Sequence, residues 1–407
     1  MKPTSNALQA TSFLLLSILL IINQPLIAYA DDTEIQSGNA ISLNAYNNEV
    51  LFEKNAYDQA FPASTTKVLT AILLMEELDD DSIIEVSEEA SKADPSNDQL
   101  LLEPGNEISK RDALHMIMMI SANDASNAIA EAISGSVEDF SNKMNERAKE
   151  IGTKDSYFKN PSGLPDPSHV TTAYDMALIT KEAKKYPEIF KAAKESEYTV
   201  NTGDREVTIK KTHTIFEENN YAIGGKTGWT HESGYTLTMY SENEGTEIIT
   251  VVLNANGRSE TYDDSLNLLE KAFGDIETRT LFDKGEIIIK KGKGDRSFSL
   301  YTKEDIQISI DKTKELEIST ELKDLTLFDK GDEVASLKVK SDGEKEVEFP
   351  LYTDKKISLD EPMELDKDAV EELLLMIINK NSLKLSGTIV LLPSLLVALF
   401  TLFFSRR

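Results

Sequence analysis

The 407-residue chain contains no cysteine. That excludes a disulfide framework, so stability must come from a large hydrophobic core, which a chain of this length can bury. Histidine is scarce as well: His115, His169, His213 and His231 are scattered, with no H-x-x-x-H pair and no Cys/His spacing, so neither a metal site nor a cofactor is expected. His115 falls within the apolar stretch Leu114–Met119 and reads as a satisfied structural histidine. Positive charge is in deficit. With 43 Lys and Arg against 71 Asp and Glu the net charge is −28, which repels nucleic acid and anionic headgroups and excludes a polyanion-binding role. Solubility is the plainer consequence of that charge.

Long charge-free apolar runs mark the two ends. Lys2 precedes an apolar stretch from Phe13 to Ile22, and Ala28-Tyr29-Ala30 satisfies the small-x-small rule for signal-peptide cleavage, so residues 1–30 are expected to be a signal peptide. Asn23-Gln24-Pro25 interrupts that run and argues against a membrane span there. Leu385–Phe404 carries no charge. At about 1.5 Å per residue, such a run is long enough to cross a hydrocarbon core of about 30 Å. Residues 385–404 are therefore expected to be a membrane anchor, with Arg406-Arg407 on the cytoplasmic side and the body of the protein outside.

Between these ends, Ser64-Thr65-Thr66-Lys67 is the most informative segment. Phe61-Pro62-Ala63 resists helix and Val68–Met75 supplies an apolar run for a buried one, so Ser64 and Lys67 share a face at a helix start. If burial keeps the amine near neutral, that spacing makes a serine nucleophile with a lysine base. Ser121-Ala122-Asn123 and Lys226-Thr227-Gly228 follow in order. The series S-x-x-K, S-x-N, K-T-G is that of penicillin-binding proteins and serine β-lactamases.

The flanking residues narrow the likeness. Pro62–Lys67, Ile120–Ala125, Asn160-Pro161-Ser162-Gly163-Leu164, His169–Met176 and Gly224–Gly228 resemble the low-molecular-mass D-alanyl-D-alanine carboxypeptidases, over roughly residues 38–273. The resemblance implies catalytic roles for Ser64, Lys67, Ser121 and Asn123. It implies substrate binding by Lys226, Thr227 and Gly228, and an oxyanion hole from the backbone N–H groups of Ser64 and Trp229. The implied partners are peptidoglycan stem peptides ending in D-Ala-D-Ala and β-lactam antibiotics. Two positions depart from the pattern. The family often carries two nearby arginines after its last core strand, whereas here Arg258 is followed by Ser259-Glu260-Thr261; Arg258 is either a carboxylate contact or a solvated loop residue. Trp229, the only tryptophan, replaces a smaller or polar residue and either contacts substrate or packs. A β-lactamase shares the three motifs, but its class A form needs a glutamate that activates water, and Asn160–Ser168 contains none. A non-catalytic wall-binding protein would not need Ser64, Lys67, Ser121, Asn123 and Lys226 together.

Ala40–Ala45 and Glu49–Phe52 read as strands around an Asn47-Asn48 turn, Ser109 with Asp112 as a capping box, and Asp124–Ile133 as a helix. Tyr235–Tyr240 and Glu247–Leu253 read as strands before a helix near 264–273. Strands at both ends with helices between predict an α/β domain over 31–275, one antiparallel sheet covered by helices. The resemblance implies the same β-lactamase/transpeptidase-like fold. A small all-β domain is expected over 276–365, then a stalk or amphipathic segment over 366–384. In that domain Thr280–Gly285 recurs as Thr326–Gly331, and Phe298–Thr302 as Phe349–Thr353, an internal duplication rather than a solenoid. The resemblance implies that this domain is a spacer from the membrane.

Overall fold

In the computed structural model, residues 35–291, 298–312, 316–322, 327–341 and 346–358 are described. The expected signal peptide at 1–30, stalk at 366–384 and anchor at 385–404 lie outside them. Among the described residues no helix is long and apolar enough to cross a membrane.

The first part is built on a five-stranded antiparallel sheet. Strands β1 (Asn39–Asn44) and β2 (Val50–Lys54) form the first hairpin, and β3 (Ala222–Thr230), β4 (Gly234–Asn243) and β5 (Thr246–Ala255) close the sheet in the order β2-β1-β5-β4-β3. The first and last thirds of the domain therefore meet along β1 and β5, with Ile41 opposite Val251 and Leu43 opposite Ile249. Strand β5 is apolar almost throughout because both of its faces are covered. Val251 and Leu253 join the main core, while Val252 and Ala255 pack with Leu268 on the other face.

The helices lie between β2 and β3 in sequence, with one more after β5. Those of eight or more residues are α1 (Lys67–Glu77), α2 (Lys110–Met119), α3 (Asn123–Ser134), α4 (Val137–Ile151), α5 (Ala173–Glu182), α6 (Pro187–Lys194) and α7 (Arg258–Asp275). Helix α1 is buried from Lys67 through Leu74 and forms the axis of the main core. Helix α2 starts at the expected capping box: Ser109 accepts from Asp112 N, and the Asp112 side chain accepts from Ser109 N. Helix α7 begins at Arg258, earlier than the sequence pattern indicates, and carries Leu268 and Leu269 into the two cores.

After α7 the chain becomes β. Strands Ile287–Lys291, Phe298–Tyr301, Val347–Thr353, Glu333–Ser341 and Leu316–Leu322 lie side by side in that order, over a separate core that includes Phe282, Leu300, Leu337 and Leu351. The sequence duplication is a structural one. Phe298–Tyr301 and Val347–Thr353 pair directly, with Tyr301 opposite Tyr352. The two D-K-G turns are copies: Gly285 N donates to Thr302 O at 2.7 Å and Gly331 N to Thr353 O at 2.8 Å. Lys312 joins the two parts, its Nζ reaching Phe273 O and Gly274 O at the C-terminal end of α7.

Candidate active site

Ser64 sits on a single 3₁₀ turn, Ala63–Thr66, that runs directly into α1. The helix-face argument for Ser64 and Lys67 therefore holds across a tighter turn than the α-helix the sequence suggested. The turn is strained and tightly held. Ala63 adopts φ +48°, and Pro62 O accepts from both Thr65 Oγ1 (2.7 Å) and Thr236 Oγ1 (3.0 Å). Two glycines let neighbouring backbone close on it. A Cβ on Gly163 would lie 1.8 Å from Ala63 O, and one on Gly228 would lie 2.7 Å from Ser64 N. Gly228 thus brings edge strand β3 against the turn itself. This adds a backbone-packing role to the substrate binding that the resemblance implies for Gly228.

Lys67 is fully buried, and its Nζ has three neighbours: Ser64 Oγ at 3.1 Å, Asn123 Oδ1 at 2.7 Å and Ser162 O at 2.6 Å. Burial holds the amine well below the usual lysine range, the charge of Lys226 adds to that, and Asp124 opposes it. A neutral amine has two N–H donors and one lone pair. Asn123 Oδ1 and Ser162 O accept the two donors, because neither can donate, which leaves the lone pair for the Ser64 hydroxyl.

Asn123 is the first residue of α3 and donates its Nδ2 to Asp94 O at 2.7 Å, so both ends of its amide are used within the protein. Its contacts describe a residue that holds Lys67. Ser121 lies on the connection between α2 and α3, as its position in the sequence indicates, with φ +63°. Its Oγ is buried and, among the described residues, has no hydrogen-bond partner.

These groups bound a cleft of about 320 Å³ whose lining includes Ser64, Ser121, Lys226, Thr227, Gly228, Trp229 and Arg258. Lys67 and Asn123 stand behind Ser64. All nine residues singled out in the sequence therefore converge. Lys226 is buried, donates to Thr227 O at 2.8 Å, and is brought down to about 7 by desolvation. Trp229 is 58% exposed and faces its cross-strand partner Tyr235 with ring centroids 6.1 Å apart, so it forms a rim rather than part of the core. Arg258, at the start of α7, is an exposed side chain on the same cleft.

Sequence reading missed two contributors. The Ser162 carbonyl is held towards Lys67 by the N-P-S-G-L loop, in which Asn160 Oδ1 accepts from Ser162 N and Gly163 N while Pro161 O accepts from Thr70 Oγ1. Those residues carry the family likeness, but nothing in a sequence reports what a backbone carbonyl touches. His213 also lines the cleft, buried and, among the described residues, without a partner in hydrogen-bonding geometry for either ring nitrogen. His169 is buried nearby but satisfied, with Nε2 3.0 Å from Thr66 Oγ1.

Residues 26–257 match the family model for the D-alanyl-D-alanine carboxypeptidase peptidases, and residues 277–358 match that for the penicillin-binding protein 5 C-terminal domain. The chain belongs to the D-alanyl-D-alanine carboxypeptidase family. It is 34% identical over 331 residues to D-alanyl-D-alanine carboxypeptidase DacF of Bacillus subtilis (strain 168), covering 78% of this chain and 84% of that one. Among solved structures, penicillin binding protein 5 from Haemophilus influenzae is 26% identical with a TM-score of 0.65, covering 80% of this carboxypeptidase-family chain and 98% of its own. Penicillin-binding protein D2 from Listeria monocytogenes, solved in its ampicillin-bound form, is 27% identical with a TM-score of 0.51 and covers 59% and 98%. The α/β transpeptidase-like fold followed by a C-terminal β domain is that of its relatives.

Proposed function

We infer that this protein is a serine-type D-Ala-D-Ala carboxypeptidase, which removes the terminal D-alanine from peptidoglycan stem peptides and binds penicillin covalently. The observation that carries the mechanism is the buried Lys67 amine, with two pure acceptors on its donors and its lone pair directed at Ser64 Oγ. Ser64 Oγ attacks the carbonyl between the two D-alanines while Lys67 takes its proton. The tetrahedral oxygen is received by the backbone N–H groups of Ser64 and Trp229, a pairing that the close approach of Gly228 to Ser64 N supports. Collapse passes a proton to the leaving nitrogen by way of the unpartnered Ser121 hydroxyl, D-alanine departs, and an ester on Ser64 remains. Water then adds to the ester with Lys67 again as base, releasing the shortened peptide and Ser64–OH. Lys226 with Thr227 holds the terminal carboxylate, and Arg258 on the same cleft adds positive charge.

A β-lactamase reading is disfavoured at the loop facing Lys67. Asn160–Ser168 lacks a glutamate, and it presents the Ser162 carbonyl to Lys67, an acceptor that cannot serve as a base for deacylating water. The deciding experiment incubates the purified protein with a synthetic pentapeptide ending in D-Ala-D-Ala and, separately, with penicillin. D-alanine release together with a penicilloyl-enzyme lasting minutes or longer is expected. Multiple turnovers of penicillin with no D-alanine released would transfer the assignment to a β-lactamase.

The catalytic domain is assigned to 31–275 and the β domain to 276–365. The signal peptide at 1–30 and the anchor at 385–404 put both on the outer face of the cell membrane, where the substrate lies. The charge-free run Leu385–Phe404, with Arg406-Arg407 behind it, supports that topology.

A further inference from the structure

His213 stands out among the buried histidines. His115 Nδ1 lies 2.7 Å from Arg111 O and its Nε2 3.3 Å from Glu195, while His169 is bonded to Thr66 and receives the Lys159 N–H. His213 is only 2% exposed, yet among the described residues neither ring nitrogen has a partner in hydrogen-bonding geometry, the Met118 carbonyl being close enough to act on the ring but not to satisfy it. Its ring meets Phe216 edge-on, with centroids 4.7 Å apart, which orients the imidazole without satisfying a nitrogen. The backbone before it is pinned, since Thr212 N and Oγ1 both reach Met119 O. A buried donor and acceptor left unmade typically cost about 1–3 kcal/mol each. A fold that satisfies its other buried imidazoles would not carry that penalty without a partner arriving from outside.

The cleft wall identifies that partner. His213 lines it with Lys226, which has one hydrogen bond, and with Ser121, whose Oγ has none. The unused capacity there is mainly that of donors, next to a lysine, which suits a carboxylate. Burial and the charges of Lys226 and Lys211 push His213 down to about 3, with the Met118 backbone acting the other way, so at neutral pH the ring offers one N–H and no charge. An uncharged donor can sit beside Lys226, where a second cation would be repelled.

Resting on the carboxypeptidase reading, we propose that His213 is a specificity-determining residue: its imidazole donates an N–H to the C-terminal carboxylate of the peptide bound at Lys226. The site then reads a free C-terminus with one cation and one neutral donor, and the orphaned imidazole gains its partner only when substrate is present.

The test compares the full-length wild type with His213→Ala and His213→Gln on a pentapeptide ending in D-Ala-D-Ala and on the same peptide ending in D-alaninamide. For His213→Ala, kcat/KM on the acid should fall about tenfold, mostly through KM, and on the amide less than twofold. A lost hydrogen bond to a charged group is worth at least that much. His213→Gln keeps an N–H donor and should recover most of the loss, and stoichiometric labelling of Ser64 by penicillin checks that each variant retains a formed site. Equal losses on acid and amide, no loss on either, or a glutamine variant as poor as alanine would each overturn the assignment. Wild type that releases no D-alanine would sink the carboxypeptidase reading and this assignment with it. An active wild type with unaffected variants sinks this assignment alone.

Discussion

Lys67 shows how much of the chemistry rests on a single side chain. Its burial would be ruinous for an ammonium ion and is tolerable for an amine with its two donors accepted. Ser64→Ala should abolish covalent labelling by fluorescent penicillin, and persistent labelling would mean that the nucleophile lies elsewhere. Lys67→Ala should slow acylation by roughly 10²–10⁴-fold, the usual scale for general-base catalysis, in a protein that still folds, as judged by circular dichroism. The sign of the pH effect follows from the lowered pKa: activity requires neutral Lys67, so acylation is lost as pH falls through its folded-state value. Gly228→Ala makes a different case. A Cβ there would lie 2.5 Å from Thr236 Oγ1 and 2.7 Å from Ser64 N, so the 3₁₀ turn must shift. Labelling should slow at least tenfold in a protein that still folds, as judged by circular dichroism. Normal labelling would show that the approach of β3 to Ser64 does not matter.

At the scale of elements, local signals and long-range ones contribute differently. The capping box at Ser109 starts α2 where the sequence places it, because its two hydrogen bonds are made within four residues. The turn at Ser64 is 3₁₀ rather than α because contacts from Thr236, Gly163 and Gly228, distant in sequence, hold Pro62 and Ala63 in place. The duplicated D-K-G turns offer a controlled comparison. Gly285 and Gly331 have φ of +79° and +86°, and an added Cβ would meet nothing within 4 Å, so only backbone strain opposes a side chain. Gly285→Ala and Gly331→Ala should each destabilise the protein by about 1 kcal/mol, with carboxypeptidase activity unchanged. A loss several times larger at either turn, measured by denaturant unfolding, would show that the two copies do unequal work.

For the molecule as a whole, two buried histidines set a stability trend. His169 is lowered to about 4 and His213 to about 3, whereas in the unfolded chain both take up a proton near 6.5. Below pH 6.5 these two sites therefore bind up to two more protons in the unfolded state than in the folded one, and their contribution to stability falls with acid at up to about 2.7 kcal/mol per pH unit until the folded values are reached. Denaturant titrations between pH 7 and 4.5 should show this, and His213→Gln should remove about half of it. An unaltered slope would mean that His213 is charged in the fold. Topology is tested separately. Protease added to wall-stripped cells should digest the body and leave a small C-terminal fragment, and full protection would reject the proposed orientation.

The order S-x-x-K, S-x-N, K-T-G, the strand and helix patterns around it and the duplicated β segment were legible in the sequence, because each is written in neighbouring residues. A nucleophile and base three residues apart need no tertiary information to be recognised. The helix cap is likewise local, and the alternation of a half-buried strand is visible along its own length. What joins Ser64 to residues 57, 98 and 162 positions further on is packing: edge strand β3 against the turn, the N-P-S-G-L carbonyl on Lys67, and Lys226 and Trp229 brought to one cleft. The Ser162 carbonyl and the unpartnered His213 were invisible beforehand for the same reason. Hydrogen-bond satisfaction and desolvation belong to a place in space, and residues distant along the chain create that place only when the core closes.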